Sequence, residues 1–189
     1  EGQIFINGEE AVISSPRDAF DYKIGMIHQH FKLVDVFTAA ENIVLGLNEK
    51  GGYNIKKATQ KVAEIAEKYG FDIDPNKKIH EMSVSEKQTV EIIRVLYRGA
   101  DILILDEPTK GIDVNARAEF YALMNQFVED GGCIIMISSD MPEVIKVADR
   151  AYVMSEGRLT GELTREEITE INLISLANPV TDGSDKQAQ

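Results

Sequence analysis

The chain has 189 residues and a formal net charge of −12, with 43% hydrophobic and 28% charged residues. Ordinary soluble usage of this kind excludes intrinsic disorder as the default state, and the length suffices for one large or two small domains with a real core. A surface this acidic repels phosphodiester backbones, which argues against nucleic acid as a partner. The longest apolar runs, such as residues 133–137, are strand-length and far short of the roughly 18 residues that span a bilayer. No signal peptide is visible, and an opening Glu1 is what a fragment or a processed chain would show. The lone cysteine, Cys133, sits in an apolar run and is expected to be a buried core thiol in a reducing compartment.

In chain order, residues 3–13 alternate apolar and polar around Asn7-Gly8, predicting a β-hairpin. Ser15-Pro16 opens a short helix, and residues 23–28 form a short strand. Thr38 with Glu41 makes a capping box ahead of a helix over 42–47. From Asn54 to Tyr69, apolar residues Val62, Ile65, Ala66 and Tyr69 share one helical face, and Gly70 stops the helix. Ser83 with Glu86 is a second capping box, opening a helix that carries Val90, Ile93 and Leu96 to Gly99. Residues 102–105 predict a strand buried on both faces.

Asp113 caps a helix with Phe120, Leu123, Met124 and Phe127 at the spacing i, i+3, i+4, i+7, and 133–137 predicts another buried strand. A hairpin follows around Ser155-Glu156-Gly157, and a last capping box, Thr164 with Glu167, predicts the start of a terminal helix. Strands alternating with helices indicate an α/β domain with a parallel core sheet and a small antiparallel β part. The strand-poor stretch of about 38–99 is expected to be an inserted helical subdomain of a domain spanning 1–178, and 179–189 a polar tail.

The sharpest chemical signal is Ile102-Leu103-Ile104-Leu105-Asp106-Glu107-Pro108-Thr109. Two carboxylates emerge together at the C-terminal end of a buried strand, the edge at which open α/β sheets bind ligands. One acid there can hold a Mg²⁺ ion, and the next can orient and polarise a water for attack on a phosphoryl group. An acidic cap after any buried strand would look the same in isolation. Its surroundings change the reading: Met82-Ser83-Val84-Ser85-Glu86 opens a helix upstream, Ile27-His28-Gln29 ends an earlier strand, and Gly111-Ile112-Asp113 follows the acids. His28 and His30 supply only two potential zinc ligands, too few for a site.

Taken in order and spacing, these elements resemble the ABC ATPase family. By that resemblance, Gln29 is the Q-loop glutamine and Met82, Ser83, Val84, Ser85 and Glu86 form the signature motif. Asp106 is the Walker B aspartate, Glu107 the catalytic glutamate, Asp113 the D-loop aspartate and Ser139 the switch position. ATP and Mg²⁺ are the implied cofactors, the metal held through Asp106 and Gln29. The helix N-terminus at Ser83 is physically suited to an anion, through its free N–H groups and positive dipole end. In the family it meets the γ-phosphate of ATP held by the opposite subunit.

Residues 82–91 and 110–126 look like the ribose, galactoside and nucleoside importers, whose ATPases carry two ABC halves on one chain. Up to Thr109 the residues resemble a first half, and from Lys110, including 138–143, a second half, as in a hybrid joined at a repeated Leu-Asp-Glu-Pro-Thr stretch. The implied partners are membrane permease subunits, a second ABC half supplying a P-loop and, indirectly, a periplasmic or lipoprotein substrate-binding protein. The implied place is the cytoplasmic face of the membrane, peripherally attached.

Three features depart from the family pattern. None of the 14 glycines is followed by Lys, so no G-x-x-x-x-G-K-[ST] phosphate loop occurs in these residues. Val84 and Ser85 stand where the signature has paired glycines, and Ser139 where many relatives have His. The readings left open are a transport ATPase subunit, a non-catalytic partner module, and a truncated or recombined product without independent activity.

Overall fold

The computed structural model describes residues 2–28, 31–47 and 54–179. The chain divides into two compact units, Glu1–Ile137 and Ser138–Gln189. The first opens with β1 (Ile4–Ile6) and β2 (Glu9–Ala11), an antiparallel hairpin. Its two-residue turn places Asn7 and Gly8 at φ of +53° and +84°, the left-handed conformation that such turns require. Helix α1 (Pro16–Asp21) starts at Ser15, whose hydroxyl accepts from the Asp18 N–H while the Asp18 carboxylate accepts from the Ser15 N–H. Strand β3 (Ile24–Ile27) follows.

The next stretch carries α2 (Ala39–Val44), α3 (Ile55–Tyr69), a 3₁₀ turn (Ile79–Glu81) and α4 (Val84–Tyr97). Two of the three predicted capping boxes form here, at Thr38 with Glu41 and at Ser83 with Glu86. The start of α2 is three residues earlier than expected, because the Thr38 cap directly precedes Ala39. Ala58, Val62 and Ala66, four residues apart on α3, meet Ile43 of α2, Ile79, and Val90 and Ile93 of α4 in one cluster. Gly70 ends α3 at φ +72°, a conformation that costs an L side chain about 1 kcal/mol or more.

Helix α4 is buried on a second side. Val95 packs so closely over Gly25 of β3 that a Cβ there would lie 1.9 Å from a Val95 methyl. The sheet beneath consists of β3, β4 (Ile102–Asp106) and β5 (Cys133–Ile137), all parallel, with β4 central. Register pairs Gly25 with Leu103 and Leu103 with Ile134, so these share one face with Ile27 and Leu105. Between β4 and β5 runs α5 (Val114–Glu129), with Phe120, Leu123, Met124 and Phe127 all buried as their spacing predicts.

Two strand expectations need correction. In β4 only Leu103 and Leu105 are fully buried, while Ile102 and Ile104 on the opposite face are half-buried. In β5 the alternation is exposed against half-buried, with Ile135 53% and Ile137 50% accessible, and Cys133 is exposed rather than a core thiol. The reason is position: among the described residues β5 pairs with β4 alone, and its Cys133, Ile135 and Ile137 lie on the sheet face opposite the one that carries Gly25 and Leu103. An apolar run reports the side chains' preference for burial, not whether a neighbour covers them.

The second unit holds α6 (Met141–Val147), β6 (Arg150–Ser155), β7 (Arg158–Thr164) and α7 (Glu170–Ala177). The strands form an antiparallel hairpin through Glu156 and Gly157, both left-handed. Ala151, Val153 and Leu163 form its buried face, against Ile168, Leu173 and the apolar side of α6. The capping box expected at Thr164 and Glu167 forms only in half: the Glu167 carboxylate accepts from the Thr164 N–H and hydroxyl, but the Glu167 N–H donates to the Thr164 carbonyl. The terminal helix does not open there because Thr164 is still paired with Arg150 in the hairpin. Thr169 caps α7 instead, its hydroxyl accepting from the Asn172 N–H. Of the expected tail, residues 180–189 lie outside the described residues.

Candidate functional site

Asp106 is the last residue of the central strand, opposite Ile137 of β5, and its side chain is partly exposed at the C-terminal sheet edge. Glu107 follows with φ +48°, a left-handed backbone that is unfavourable for a residue with a side chain. The surroundings hold it there. Its N–H donates to the Ile137 carbonyl at 2.9 Å, and its carbonyl accepts from the Lys110 N–H at 3.2 Å. Pro108 and Thr109 behind it are buried, the latter 1% accessible, and the Thr109 carbonyl accepts from the Ile112 N–H. A non-glycine residue forced into this region at a sheet edge is the kind of stored strain found where a side chain must be aimed.

The Met82–Glu86 stretch forms the entry to α4. Met82 is buried in the helical cluster, whereas Val84 is 52% accessible and Ser83 and Ser85 lie in hydrogen-bond contact with each other at 3.1 Å. Glu86 turns back to accept the Ser83 N–H at 2.8 Å and pairs with Lys77 at 2.6 Å. The Lys77 ammonium, with the Ser83 N–H, holds the Glu86 carboxyl below the ordinary glutamate range. An anion approaching this N-terminus therefore meets a carboxylate whose charge is already matched by a lysine.

Asp113 caps α5, accepting from the Ala116 N–H at 3.0 Å. Ser139 belongs to the second unit, exposed, beside Ser138, whose hydroxyl donates to the buried Glu143 carboxylate at 2.7 Å. Gln29 lies outside the described residues; the strand that leads to it, β3, ends at Ile27 opposite Leu105, beside the strand of the acidic pair. Asp106, Glu107 and Asp113 thus all lie in the stretch that runs from the last residue of β4 to the cap of α5.

Three polar residues bonded to the neighbouring loops escaped the sequence reading. Gln88 is 7% accessible, and its side-chain amide donates to the Pro108 carbonyl at 3.1 Å, tying α4 to the acidic turn. Glu91 is 3% accessible and accepts from the Lys32 N–H at 2.9 Å, while Arg94 pairs with Glu91 and donates to the Lys32 carbonyl. The available signal was polar side chains interleaved with Val90, Ile92, Ile93 and Val95, where a helix buried on two sides leaves no solvent for them.

An aspartate at a parallel-sheet edge supplies the hard oxygen donor that Mg²⁺ takes, so the residues present fit that ion. Among the described residues no cluster of three or more His, Cys, Asp or Glu could hold a metal without further ligands, and no helix is long and apolar enough to cross a membrane.

Comparison with known proteins places this geometry. The family model for ABC transporters matches residues 1–110. The chain is 40% identical over 178 residues to the nucleoside import ATP-binding protein NupA of Lactococcus lactis, covering 90% of this chain and 35% of that protein. It is 41% identical over 177 residues to the guanosine import ATP-binding protein NupO of Bacillus subtilis, with 93% and 35% covered. To the ribose import ATP-binding protein RbsA of Caldanaerobacter subterraneus it is 40% identical over 178 residues, with 89% and 36% covered. The chain therefore spans about a third of the length of these relatives.

Two solved structures share the fold. The ATP-binding cassette MJ1267 in its ADP conformation superposes with a TM-score of 0.77 at 19% identity, covering 93% of this chain and 76% of that one. The cassette MJ0796, in a dimeric post-hydrolysis state bound to ADP and Pi, gives 0.73 at 22%, covering 87% and 74%. With its α/β cassette fold and a family match over more than half its length, this chain belongs to the ABC transporter family.

Proposed function

We propose that the chain forms part of the ATP-hydrolysing subunit of an ABC importer, coupling hydrolysis to uptake of a sugar or nucleoside through a separate membrane permease. The observation that carries this is the turn after β4, where Asp106 and a conformationally forced Glu107 emerge at the edge of a central parallel strand. Asp106, with Gln29, two residues past the last residue of β3 in the sequence, would hold Mg²⁺, which when bound neutralises charge on the phosphates. Glu107 orients and polarises the attacking water. The capped α4 entry, Met82 to Glu86, is the signature face for a nucleotide gripped by the opposite half, Asp113 is the D-loop aspartate, and Ser139 is the switch position. The stretch of about 38–99 is the helical subdomain through which the permease is engaged. The permease, not the chain, touches lipid, so the protein sits peripherally on the cytoplasmic face, and a substrate-binding protein on the other side selects the cargo.

A second reading has its own observation. The 189 residues contain no G-x-x-x-x-G-K-[ST] sequence, and Val84 and Ser85 add side chains where the family places backbone against phosphate. By itself the chain would then be a partner module, offering a signature face and permease contacts to a P-loop held on another segment.

The test joins this sequence to a P-loop-bearing segment of the family and compares it with Glu107→Gln. Gln keeps the shape but cannot act as a base, so ATP binding is expected to stay within a few-fold while hydrolysis falls by about 100-fold or more. Turnover within a few-fold of the parent would remove Glu107 from the catalytic role.

A further inference from the structure

Three polar side chains at successive three-residue intervals on α4, Gln88, Glu91 and Arg94, all reach main-chain atoms of other segments. Gln88 holds the carbonyl of Pro108, immediately after Glu107. Glu91 accepts the N–H of Lys32 and Arg94 donates to its carbonyl, so the two side chains bracket one residue of the stretch that leads from β3 to α2. Glu91 and Arg94 are themselves paired, and their side chains are 4% and 20% accessible. A buried carboxylate on a helix is costly unless its charge is matched and its lone pairs are filled. Here the charge is matched by Arg94, and the hydrogen bond goes to a loop that has no secondary structure of its own.

The same loop has a second hold that does not involve α4. Asn42 of α2, 1% accessible, accepts from the Val34 N–H at 2.7 Å and donates to the Val34 carbonyl at 3.1 Å. The loop is thus fixed at Lys32 by one helix and at Val34 by another. Packing alone would require apolar residues at these positions, not a charged pair and an amide aimed at peptide groups.

We propose that Gln88, Glu91 and Arg94 are positioning residues that make α4 the mechanical link between the signature end of the helix and the two loops of the magnesium side. Lys32 stands three residues after Gln29, and Pro108 one after Glu107. A shift of α4 when nucleotide meets Ser83–Glu86 carries both loops with it, which ties the state of one nucleotide site to the geometry of the other. This rests on the proposed roles of Gln29, Glu107 and the signature residues, but its test does not use ATP.

The test is amide NMR and hydrogen exchange on the ¹⁵N-labelled 189-residue chain. In the parent, the Lys32 amide is expected to be protected although it lies in a loop, with its proton shifted downfield by the carboxylate acceptor. Glu91→Ala should speed Lys32 exchange by about tenfold or more, leaving the amides of Val90 to Val95 within about twofold. Glu91→Gln keeps the size and an oxygen acceptor and should fall between, with the Lys32 proton moved upfield. Gln88→Met, similar in length and shape but lacking the donor, should shift the Thr109 amide nitrogen, which is bonded to the Pro108 carbonyl carbon.

Asn42→Ala separates a specific link from general loosening: it should release Val34 and leave Lys32 within about twofold. An unprotected Lys32 in the parent, no change in Glu91→Ala, or equal loosening of Lys32 in Asn42→Ala would each overturn the proposal. Should either alanine variant not fold, the Lys32 shift in Glu91→Gln decides alone. Absence of the link in the parent, with Glu107→Gln still abolishing hydrolysis in the P-loop-joined protein, would refute this inference and leave the ATPase reading standing.

Discussion

Gly25→Ala should be among the most damaging small substitutions in the first unit. The added Cβ would lie 1.9 Å from a Val95 methyl and 3.2 Å from the Ala100 Cβ, while ordinary contact begins at 3.4 Å. The shortfall against Val95 is about 1.5 Å (3.4 − 1.9). Val95 cannot yield by rotation, since a β-branched side chain in a helix has essentially one rotamer and this one is 4% accessible. The helix itself must move off β3, and α4 is held on its other side by Ile43, Val62 and Ile79. Overpacking of this kind costs about 1–3 kcal/mol, and a clash with a stiff neighbour belongs near the upper end. With a urea slope of about 2 kcal/mol per molar, a loss of about 3 kcal/mol lowers the unfolding midpoint by about 1.5 M. Far-UV circular dichroism during urea titration reads this directly. Val95→Ala alone removes two buried methyls and should cost about 2 kcal/mol. The double variant should be more stable than the sum of the singles predicts, by at least about 1 kcal/mol, because each change makes room for the other. A Gly25→Ala midpoint within about 0.3 M of the parent, or strict additivity in the double variant, would refute the packing argument.

Glu86 has a folded pKa below its ordinary value of 4.5, so its contribution is complete above the unfolded pKa and is lost as pH falls through the folded one. Lys77→Met should therefore destabilise the chain at pH 7, by up to about 1 kcal/mol for a partly exposed pair, and make no difference by about pH 2; a penalty independent of pH would show that the ion pair is not its source. Cys133, exposed on β5, should react with a thiol reagent in the native protein at a rate within about tenfold of a free thiol, and protection until unfolding would contradict the exposed strand. The 189-residue chain alone should bind Mg-ATP more weakly than about 1 mM by isothermal titration, since three or four missing charge-assisted hydrogen bonds remove on the order of 5–10 kcal/mol. Binding tighter than about 0.1 mM would reveal a phosphate grip outside the motifs described.

Local chemistry in the sequence determined the caps and turns. Ser15 with Asp18, Thr38 with Glu41 and Ser83 with Glu86 make their bonds within four residues, and Asn7-Gly8 and Glu156-Gly157 need only their own left-handed backbones. The same holds for α5, whose apolar spacing reports a buried stripe, and for the acidic pair, which must leave the strand that precedes it. Thr164 with Glu167 shows the limit of that locality: Glu167 turns back to the Thr164 N–H, but pairing with Arg150 keeps Thr164 in a strand. What only the tertiary structure decided is which faces are covered and which polar groups meet across the fold. Cys133 and Ile135 are as apolar as Leu103, yet lie exposed on an edge strand. Gln88 and Glu91 look like solvated helix residues until α4 is enclosed between the helical cluster and the sheet, where their partners are peptide groups 20 and 59 residues away. Burial and long-range hydrogen bonds depend on what the fold brings alongside, and no window of neighbouring residues contains that information.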